Sequence, residues 1–369
     1  AGQSYRPPHK FELAQFAFIY DGQHGWDAGC AECICKRRAV KRQFWSCKLK
    51  FKMTISQARK FALSELKFSP SPILDADVIL KWILKCDQTF ILFHSETELS
   101  EQQKNIFCSS IEKRKTGLPV AYITGIKEFF GYDFEVDKNV LIPKPDTELL
   151  VENAVNFIEE KFHAASDCKI LSVCDMCSGS GCVGISILKF IEEKKIIPKS
   201  LLPKIIFADI SKKTLDIAKK NSLRLLSEFA FEKTVFVQSN LFENLGQSRN
   251  GLFDVIVSNP PYIPYSQTVE LLKDGRSEPS LALCGDIDLN GNLTNFDDGL
   301  EIIRNLIFQS VDFLNPGGIL ILETGEYNAF QTKKIMEDSE FKDVKIYKDL
   351  EGQFRNVSGI LAWNKISCA

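Results

Sequence analysis

The sequence has little of several features that whole classes of protein require. Its four histidines are scattered and form neither a metal-ligand pattern nor a catalytic triad. No stretch approaches the roughly eighteen consecutive apolar residues of a membrane-spanning helix, and residues 1–10 lack the apolar centre of a secretion signal. With a formal net charge of −2, the chain also lacks the basic excess typical of duplex-DNA-binding proteins. We therefore expect no metal and no membrane partner, and we do not expect nucleic acid to be the direct substrate.

Cysteine, by contrast, is abundant, with twelve residues. Cys174, Cys177 and Cys182 lie in or beside apolar segments, which indicates small buried thiols in a reducing compartment rather than a disulfide framework. Four cysteines nearer the start of the chain could in principle bind zinc, but the C-x2-C-x-C spacing of the first three lacks a clean second pair. We expect ordinary thiols at Cys30, Cys33, Cys35 and Cys47.

Residues 1–52 differ in character from the rest of the chain. They show no sustained hydrophobic period, and they end in a basic run, 36–52, with eight Lys or Arg and no acidic residue. We expect a poorly ordered, solvated extension. A targeting peptide or a nucleic-acid-binding arm remains an alternative. The predicted location is cytoplasmic, or mitochondrial if this segment directs import.

Three further regions follow from the periodicity. Residues 53–115 have a helical pattern, with Thr54 or Ser56 able to cap its start and Ser100 followed by Gln103 as a capping box. Residues 116–145 contain glycine breaks and short alternating pieces that predict a β-hairpin linker. From 146 to 369, apolar strands alternate with amphipathic helices, which predicts an α/β fold with a mostly parallel sheet covered on both faces and an antiparallel C-terminal edge.

Two of these strands end in residues suited to a nucleoside ligand. The first runs into Asp175 and then Gly179 and Gly181, where the absence of a Cβ lets the backbone turn sharply beside a ligand. The next strand ends at Asp209, whose carboxylate can accept both hydroxyls of a ribose. The spacing also fits a dinucleotide fingerprint, and a plain strand-to-helix turn is a third interpretation. The residues therefore predict a nucleoside cofactor without distinguishing NAD from S-adenosylmethionine.

The residues at the end of the fourth strand favour S-adenosylmethionine over NAD. The strand ends in Asn259, Pro260, Pro261 and Tyr262, and tandem prolines cannot continue a central strand. The Asn259 side-chain oxygen and the Pro260 carbonyl can accept both N–H bonds of one NH2 group, while Tyr262 offers a flat face to a planar amide or base. Because a sulfonium methyl donor needs little activation beyond alignment, this arrangement predicts methyl transfer to nitrogen.

Longer motifs around these residues resemble the release-factor glutamine methyltransferase family. The resemblance covers most of 53–369. It lies in GLPVAYITGIKEFFGYDFEV at 117–136, LIPKPDTELLVE at 141–152, DMCSGSG at 175–181, ADIS at 208–211, NPPY at 259–262, EPSLAL at 278–283 and DGLEIIR at 298–304. NPPY alone is shared with adenine methyltransferases, whereas the linker motif, PKPDTE and EPSLAL are more specific.

The resemblance implies a helical substrate-recognition domain at 53–115, a hairpin linker at 116–145 and a Rossmann-like methyltransferase domain at 146–369. It implies S-adenosylmethionine as cofactor and, as substrate, the glutamine in the Gly-Gly-Gln loop of a peptide release factor. We expect a monomer. The predicted cofactor contacts are Asp175, Gly179, Gly181, Asp209, Asn240 and Asn259. The predicted substrate-binding residues are Asn259, Pro260, Pro261 and Tyr262, of which Asn259, Pro260 and Tyr262 are predicted to be catalytic.

The chain departs from the family pattern at three places after residue 52. Lys144 stands where the family usually has Arg, Asn240 where Asp is common, and residues 284–297 form a longer loop than usual. Two other functions therefore stay open: methylation of a ribosomal-protein glutamine or a nucleic-acid amino group, and a non-catalytic binding module that keeps the fold.

Overall fold

The computed structural model describes residues 52–164, 169–246, 253–273 and 278–362. The predictions for residues 1–51, including the extension and its four cysteines, lie outside the described residues. Within the described ranges, no helix has the length and apolar character needed to cross a bilayer. The same ranges hold no cluster of three or more His, Cys, Asp or Glu side chains placed to bind a metal. Cys174 and Cys182 are buried free thiols as expected, while Cys177 is half-buried.

The first described region is mainly helical. Its N-terminal helix is capped by Thr54, and the predicted capping box of Ser100 and Gln103 is present, with both reciprocal hydrogen bonds formed. One feature was not expected: Met53 and Thr54 pair with Leu99 and Glu98 as a short antiparallel ladder that closes the region. The elements are β1 Met53–Thr54, α1 Ile55–Glu65, α2 Pro72–Leu84, α3 Gln88–Phe93, β2 Glu98–Leu99 and α4 Glu101–Lys115.

A short helix and a hairpin follow, at the place where the sequence predicts a linker: α5 Val120–Thr124, β3 Ile126–Phe129 and β4 Tyr132–Glu135. The hairpin is tied to the rest of the chain by Asn221. Its buried amide accepts from the Glu135 N–H at 2.8 Å and donates to the carbonyls of Glu135 and Ser180, both at 3.0 Å. This one side chain therefore connects the hairpin to the glycine turn after β5.

A seven-stranded sheet with spatial order β10-β11-β9-β8-β5-β6-β7 forms the centre of the remaining chain. The five strands β5 to β9 run parallel to one another. β11 pairs antiparallel with β9 on one side and with β10 on the other. This confirms the predicted mostly parallel sheet with an antiparallel C-terminal edge. The strands are β5 Ser172–Met176, β6 Lys204–Asp209, β7 Thr234–Gln238, β8 Phe253–Ser258, β9 Leu314–Glu323, β10 Phe341–Lys348 and β11 Phe354–Leu361.

Helices cover both faces of this sheet. Successive strand residues alternate between two hydrophobic clusters: Val255 packs in one and Ile256 in the other. The first cluster is completed by α6, α7 and α8, and the second by α11 and α12, so nearly continuous apolar strands are required. The helices are α6 Glu148–Ala164, α7 Cys182–Lys194, α8 Lys212–Leu225, α9 Glu228–Phe231, α10 Tyr265–Lys273, α11 Glu301–Phe313 and α12 Ala329–Asp338.

The strand order places a topological switch at β5. The chain moves from β5 outward through β6 to β7, then returns to the other side of β5 as β8. In open α/β sheets, ligands bind in the crevice that such a reversal opens outside the carboxyl ends of the strands. The two ends that meet here are followed by the glycine turn and by Asn259.

Gly184 is a test of the packing between α7 and β6. A Cβ built at this position would lie 2.6 Å from the Phe207 ring, which is fully buried. We expect Gly184→Ala to lower the free energy of unfolding by about 1–3 kcal/mol, the usual cost of overpacking. Lys194→Ala, on the exposed side of the same helix, should change it by no more than about 0.5 kcal/mol. Equal denaturation midpoints for all three proteins would contradict this packing.

Candidate functional site

A cavity lies at the carboxyl ends of the parallel strands. Its walls come from six separate parts of the chain: residues after β4, the turn after β5, the ends of β6, β7 and β8, and the loop before α11. Six of the predicted site residues line it: Asp175, Gly179, Asp209, Asn240, Asn259 and Pro261. The other three predicted residues, Gly181, Pro260 and Tyr262, are not among the lining residues. The fold therefore brings six of the nine predicted site residues to one cavity.

The turn after β5 has the backbone that its glycines predict. Gly179 and Gly181 have φ of 55° and 77°, in the left-handed region where a side chain is unfavourable. At Gly181, a Cβ would also approach the Ala218 Cβ to 3.1 Å, so α8 excludes any larger residue. The turn thus presents its backbone to the cavity.

Asp209 holds this turn from the neighbouring strand. One carboxylate oxygen accepts from the Gly179 N–H at 3.0 Å and the other from the Ser211 N–H at 2.9 Å. Burial raises the pKa of Asp209, and these two hydrogen bonds partly offset that effect. Each carboxylate oxygen retains a second lone pair, so Asp209 can still accept a ligand hydroxyl while it fixes the turn.

Asp175 lies deeper, at the end of β5. Its carboxyl group accepts from the Gly184 N–H at 2.9 Å, at the start of α7. Burial raises the pKa of Asp175 to about 8; the Gly184 hydrogen bond opposes this rise and the charge of Asp209 adds to it. Two acidic groups therefore lie beside the glycine turn, and a cationic ligand would favour the ionised form of both.

The Asn259 side chain has a defined orientation. Its NH2 group donates to the Thr147 hydroxyl at 3.0 Å, which leaves the amide oxygen free of that contact and able to accept from a ligand. Asn259 follows β8 directly, and Thr147 belongs to a 3₁₀ turn at Pro145–Thr147. The sequence motif identified Asn259. Nothing in the sequence distinguished Thr147 from the other residues of the PKPDTE motif in which it lies.

Tyr262 is placed differently from the simple expectation of a stacking face. Its ring packs against the hydrophobic cluster of α11 and β9, and its hydroxyl donates to Glu323 at 3.1 Å. Its backbone carbonyl accepts from the Tyr327 hydroxyl and the Asn328 amide, at 3.1 and 3.2 Å. Tyr262 thus anchors the segment after β8 from behind, and its contact with substrate stays a prediction.

Lys144, at the position where the family usually has Arg, forms an ion pair. The Lys144 ammonium is 2.7 Å from the Glu278 carboxylate, which is buried. This pair joins the PKPDTE and EPSLAL motifs across the rim of the cavity. A single lysine contact replaces the bidentate geometry that Arg would allow, so the pairing is kept with fewer hydrogen bonds.

Two aspartates anchor the long loop at 284–297. Buried Asp286, near its start, accepts from the Tyr265 and Gly299 N–H groups at 2.8 and 2.7 Å, and Asp297, at its end, accepts from the Ser266 N–H at 2.9 Å. Between these anchors, the Leu289 carbonyl accepts from the Asn240 amide at 2.7 Å. Ile287, Leu289 and Gly291 consequently line the cavity on the Asn240 side. The long loop forms part of the wall on the side where adenine is predicted to lie.

Comparison with known proteins shows to which family the chain belongs. The model of the PrmC N-terminal domain matches residues 57–125, and the model of N-6 DNA methylases matches 147–280. A release factor glutamine methyltransferase from Clostridium acetobutylicum is 32% identical over 78% of this chain and 90% of its own length. One from Clostridium botulinum is 34% identical over 76% and 89%. The chain belongs to the release factor glutamine methyltransferase family.

Among solved structures, the release-factor-specific protein-(glutamine-N5) methyltransferase of Alicyclobacillus acidocaldarius is 24% identical. The two structures give a TM-score of 0.34 over 62% of this chain and 99% of that one. Membership of the release factor glutamine methyltransferase family depends on the sequence relatives, and the fold depends on the strand order described above.

Because the family consists of methyltransferases, substitution of Asp209 tests directly whether this part of the cavity binds the cofactor. We expect Asp209→Asn to weaken S-adenosylmethionine binding by roughly 10- to 100-fold, because a charged hydrogen-bond partner contributes about 1.5–3 kcal/mol. An asparagine NH2 would also face an N–H of the turn. Isothermal titration calorimetry measures the effect. Asp216→Asn, an exposed carboxylate on α8, should bind as wild type; equal affinity of all three proteins would remove Asp209 from the site.

Proposed function

We propose that this chain transfers a methyl group from S-adenosylmethionine to the side-chain nitrogen of the glutamine in the Gly-Gly-Gln loop of a peptide release factor. The observation that carries the proposal is the orientation of Asn259, whose amide oxygen is left free at the cavity while its NH2 group is held by Thr147. Membership of the family supplies the substrate class. We further propose that it acts as a monomer, in the cytoplasm or, if residues 1–52 direct import, in mitochondria.

The residues present fit this cofactor. Gly179 leaves space for close approach of a ligand to the backbone, Gly181 lets the turn pack closely against α8, and Asp209 can accept ribose hydroxyls. Asn240 and the Leu289 backbone line the part of the cavity proposed for adenine. When bound, S-adenosylmethionine supplies a sulfonium methyl group; the new bond forms to the amide nitrogen, sulfur keeps the carbon–sulfur electron pair, and one amide proton leaves.

The chain's own contribution is to orient the acceptor. The Asn259 oxygen and the Pro260 carbonyl are proposed to accept the two N–H bonds of the glutamine amide. Amide nitrogen is a weak nucleophile because its lone pair is delocalised into the carbonyl group. Acceptors on both N–H bonds increase electron density on nitrogen, and they fix its direction toward the methyl donor. Pro261 forms the neighbouring wall.

A nucleic-acid amino group is the second candidate, favoured by the match to the N-6 DNA methylase model. An adenine amino group presents the same two N–H bonds to Asn259 and Pro260. The overall charge of −2 argues against it, because phosphate contacts require a basic surface. A ribosomal-protein glutamine would present the same two N–H bonds to Asn259 and Pro260 as the release-factor glutamine. The non-catalytic alternative predicts no binding of S-adenosylmethionine.

The decisive experiment compares these substrates. Purified protein and S-adenosylmethionine labelled on the methyl group are incubated separately with release factor, ribosomal protein and DNA. We expect label only in the release factor, at the Gly-Gly-Gln glutamine as located by mass spectrometry, and none in a factor with that residue changed to Glu. Label in DNA or ribosomal protein alone would replace the proposed substrate, and absence of cofactor binding would favour the non-catalytic module.

A second test concerns Asn259. We expect Asn259→Ala to lower kcat by about 100-fold or more, the usual effect of removing one preorganised hydrogen-bonding group. Cofactor affinity should stay within about threefold, since the glycine turn and Asp209 remain intact. Asn244→Ala is the matched control, because Asn244 is exposed and its side chain donates to the Gln238 carbonyl. Full activity of the Asn259 variant would remove its assigned role.

A further inference from the structure

Part of the long loop folds as a small hairpin of its own, residues 286–294, which we call the loop hairpin. Ile287 and Leu293 pair across it as an antiparallel bridge. One position further toward the tip, the Asp288 N–H donates to the Asn292 carbonyl at 2.8 Å. Because these contacts are internal to the segment, the loop hairpin has a defined shape of its own.

The tip of the loop hairpin holds Leu289 in one place. The Asp288 carboxylate accepts from the backbone N–H groups of Asn290 and Asn292, both at 2.8 Å. Gly291 completes the turn with a φ of 81°, in the left-handed region. The Leu289 side chain packs against the hydrophobic cluster of α11 and α12. The tip therefore reaches the body of the protein through Leu289.

Asn240, just after β7, makes a polar contact with the same residue. Its NH2 group donates to the Leu289 carbonyl at 2.7 Å. Because a backbone carbonyl only accepts hydrogen bonds, this contact requires a donor at position 240. An aspartate there would place a carboxylate oxygen against the carbonyl oxygen, with no proton between them. The contact therefore depends on the amide and would be lost with the nearly isosteric acid.

Two departures from the family pattern meet in this contact. Asn240 stands where Asp is common, and Leu289 belongs to the loop that is longer than usual. An aspartate beside the long loop would repel the Leu289 carbonyl, and an asparagine without the loop would have no such carbonyl to bind. The two departures therefore have a common physical reason if the asparagine serves the loop.

We propose that Asn240 is a positioning residue that fixes the loop hairpin as a wall of the cofactor cavity. Ile287, Leu289 and Gly291 line this cavity, so the position of the loop hairpin determines how closely the wall surrounds a ligand. The identity of that ligand as S-adenosylmethionine rests on the proposed function, whereas the contact belongs to the free protein. Without the contact, the cofactor is held more loosely and leaves faster.

Asn240→Asp tests the contact with the smallest change in shape. We expect S-adenosylmethionine to bind roughly 5- to 30-fold more weakly, the usual range for a lost hydrogen bond whose partner is left unsatisfied. Most of that loss should lie in faster dissociation, measured by chase of labelled cofactor. At saturating cofactor, kcat should stay within about threefold, because Asn259 and Asp209 remain in place.

Asn244→Asp is the matched control. Asn244 lies in the same segment after β7, is exposed, and its side chain also donates to a backbone carbonyl, that of Gln238, at 2.9 Å. The substitution adds the same charge and removes the same kind of contact, away from the loop hairpin. We expect wild-type affinity and kcat. A loss as large as that of Asn240→Asp would assign the effect to the added charge and refute the positioning role.

A shortened loop separates positioning from the direct cofactor contact that the sequence predicts for Asn240. Replacement of residues 288–292 by Gly-Gly keeps the pair of Ile287 and Leu293, closes it with a two-residue turn and removes Leu289. In this background, Asn240→Asp should weaken cofactor binding by no more than about twofold, because the opposing carbonyl is gone. The full loss in the shortened protein would mean that Asn240 acts on the cofactor directly, and the proposal would be wrong.

Hydrogen exchange without cofactor or substrate tests the contact itself. In Asn240→Asp, peptides covering 287–294 should exchange roughly 5- to 30-fold faster than in wild type, because the tip is no longer held. Peptides of β8 should be unchanged, which shows that the variant is folded, and Asn244→Asp should match wild type throughout. Equal exchange of the loop hairpin in wild type and Asn240→Asp would overturn the positioning role. If the difference is present and wild-type protein binds no S-adenosylmethionine, the proposed function alone fails.

Discussion

The parallel pairing of β5 with β8 is the constraint on which the whole site depends. Met176 lies opposite Ser258 at the last register position, and the Ser258 hydroxyl donates to the Met176 carbonyl at 2.6 Å. A slip of one residue would turn every apolar side chain of a strand to the opposite face, so both hydrophobic clusters hold this register. The glycine turn and Asn259 begin at adjacent points because the strands before them end together.

What lies behind Asn259 is unusually polar for the interior of a sheet. Glu323, Thr324 and Asn356 are all almost fully buried, and Asn356 pairs directly with Glu323 across β11 and β9. One Glu323 oxygen and both polar atoms of the Asn356 side chain have no hydrogen-bond partner among the described residues. Buried polar groups of this kind lower stability, and they persist where their orientation serves a function.

The sequence predicts the sheet and the local motifs because their signals are local. Apolar strands such as β8 must be buried on both faces, and tandem prolines after Asn259 mark where that strand stops. The support for Asn259 was not predictable in this way. Thr147 is 112 residues away along the chain, and Glu323 is 61 residues from Tyr262. No spacing rule connects such residues; only the strand order does. The ladder between Met53 and Leu99 was missed because two-residue strands carry no period.

The ionisable groups at the cavity are mainly acidic. Asp175 and Asp209 lie beside the glycine turn, and the one lysine described at its rim, Lys144, is paired with Glu278. Burial raises the pKa of both aspartates, which means that their ionised forms lack sufficient solvation. A cationic ligand relieves this cost, and a neutral one does not. The proposed donor carries a sulfonium charge that its thioether product has lost, whereas both keep the ribose that Asp209 is proposed to bind. The charge of the two acids is therefore expected to favour the donor over the product, while the ribose contact is common to both.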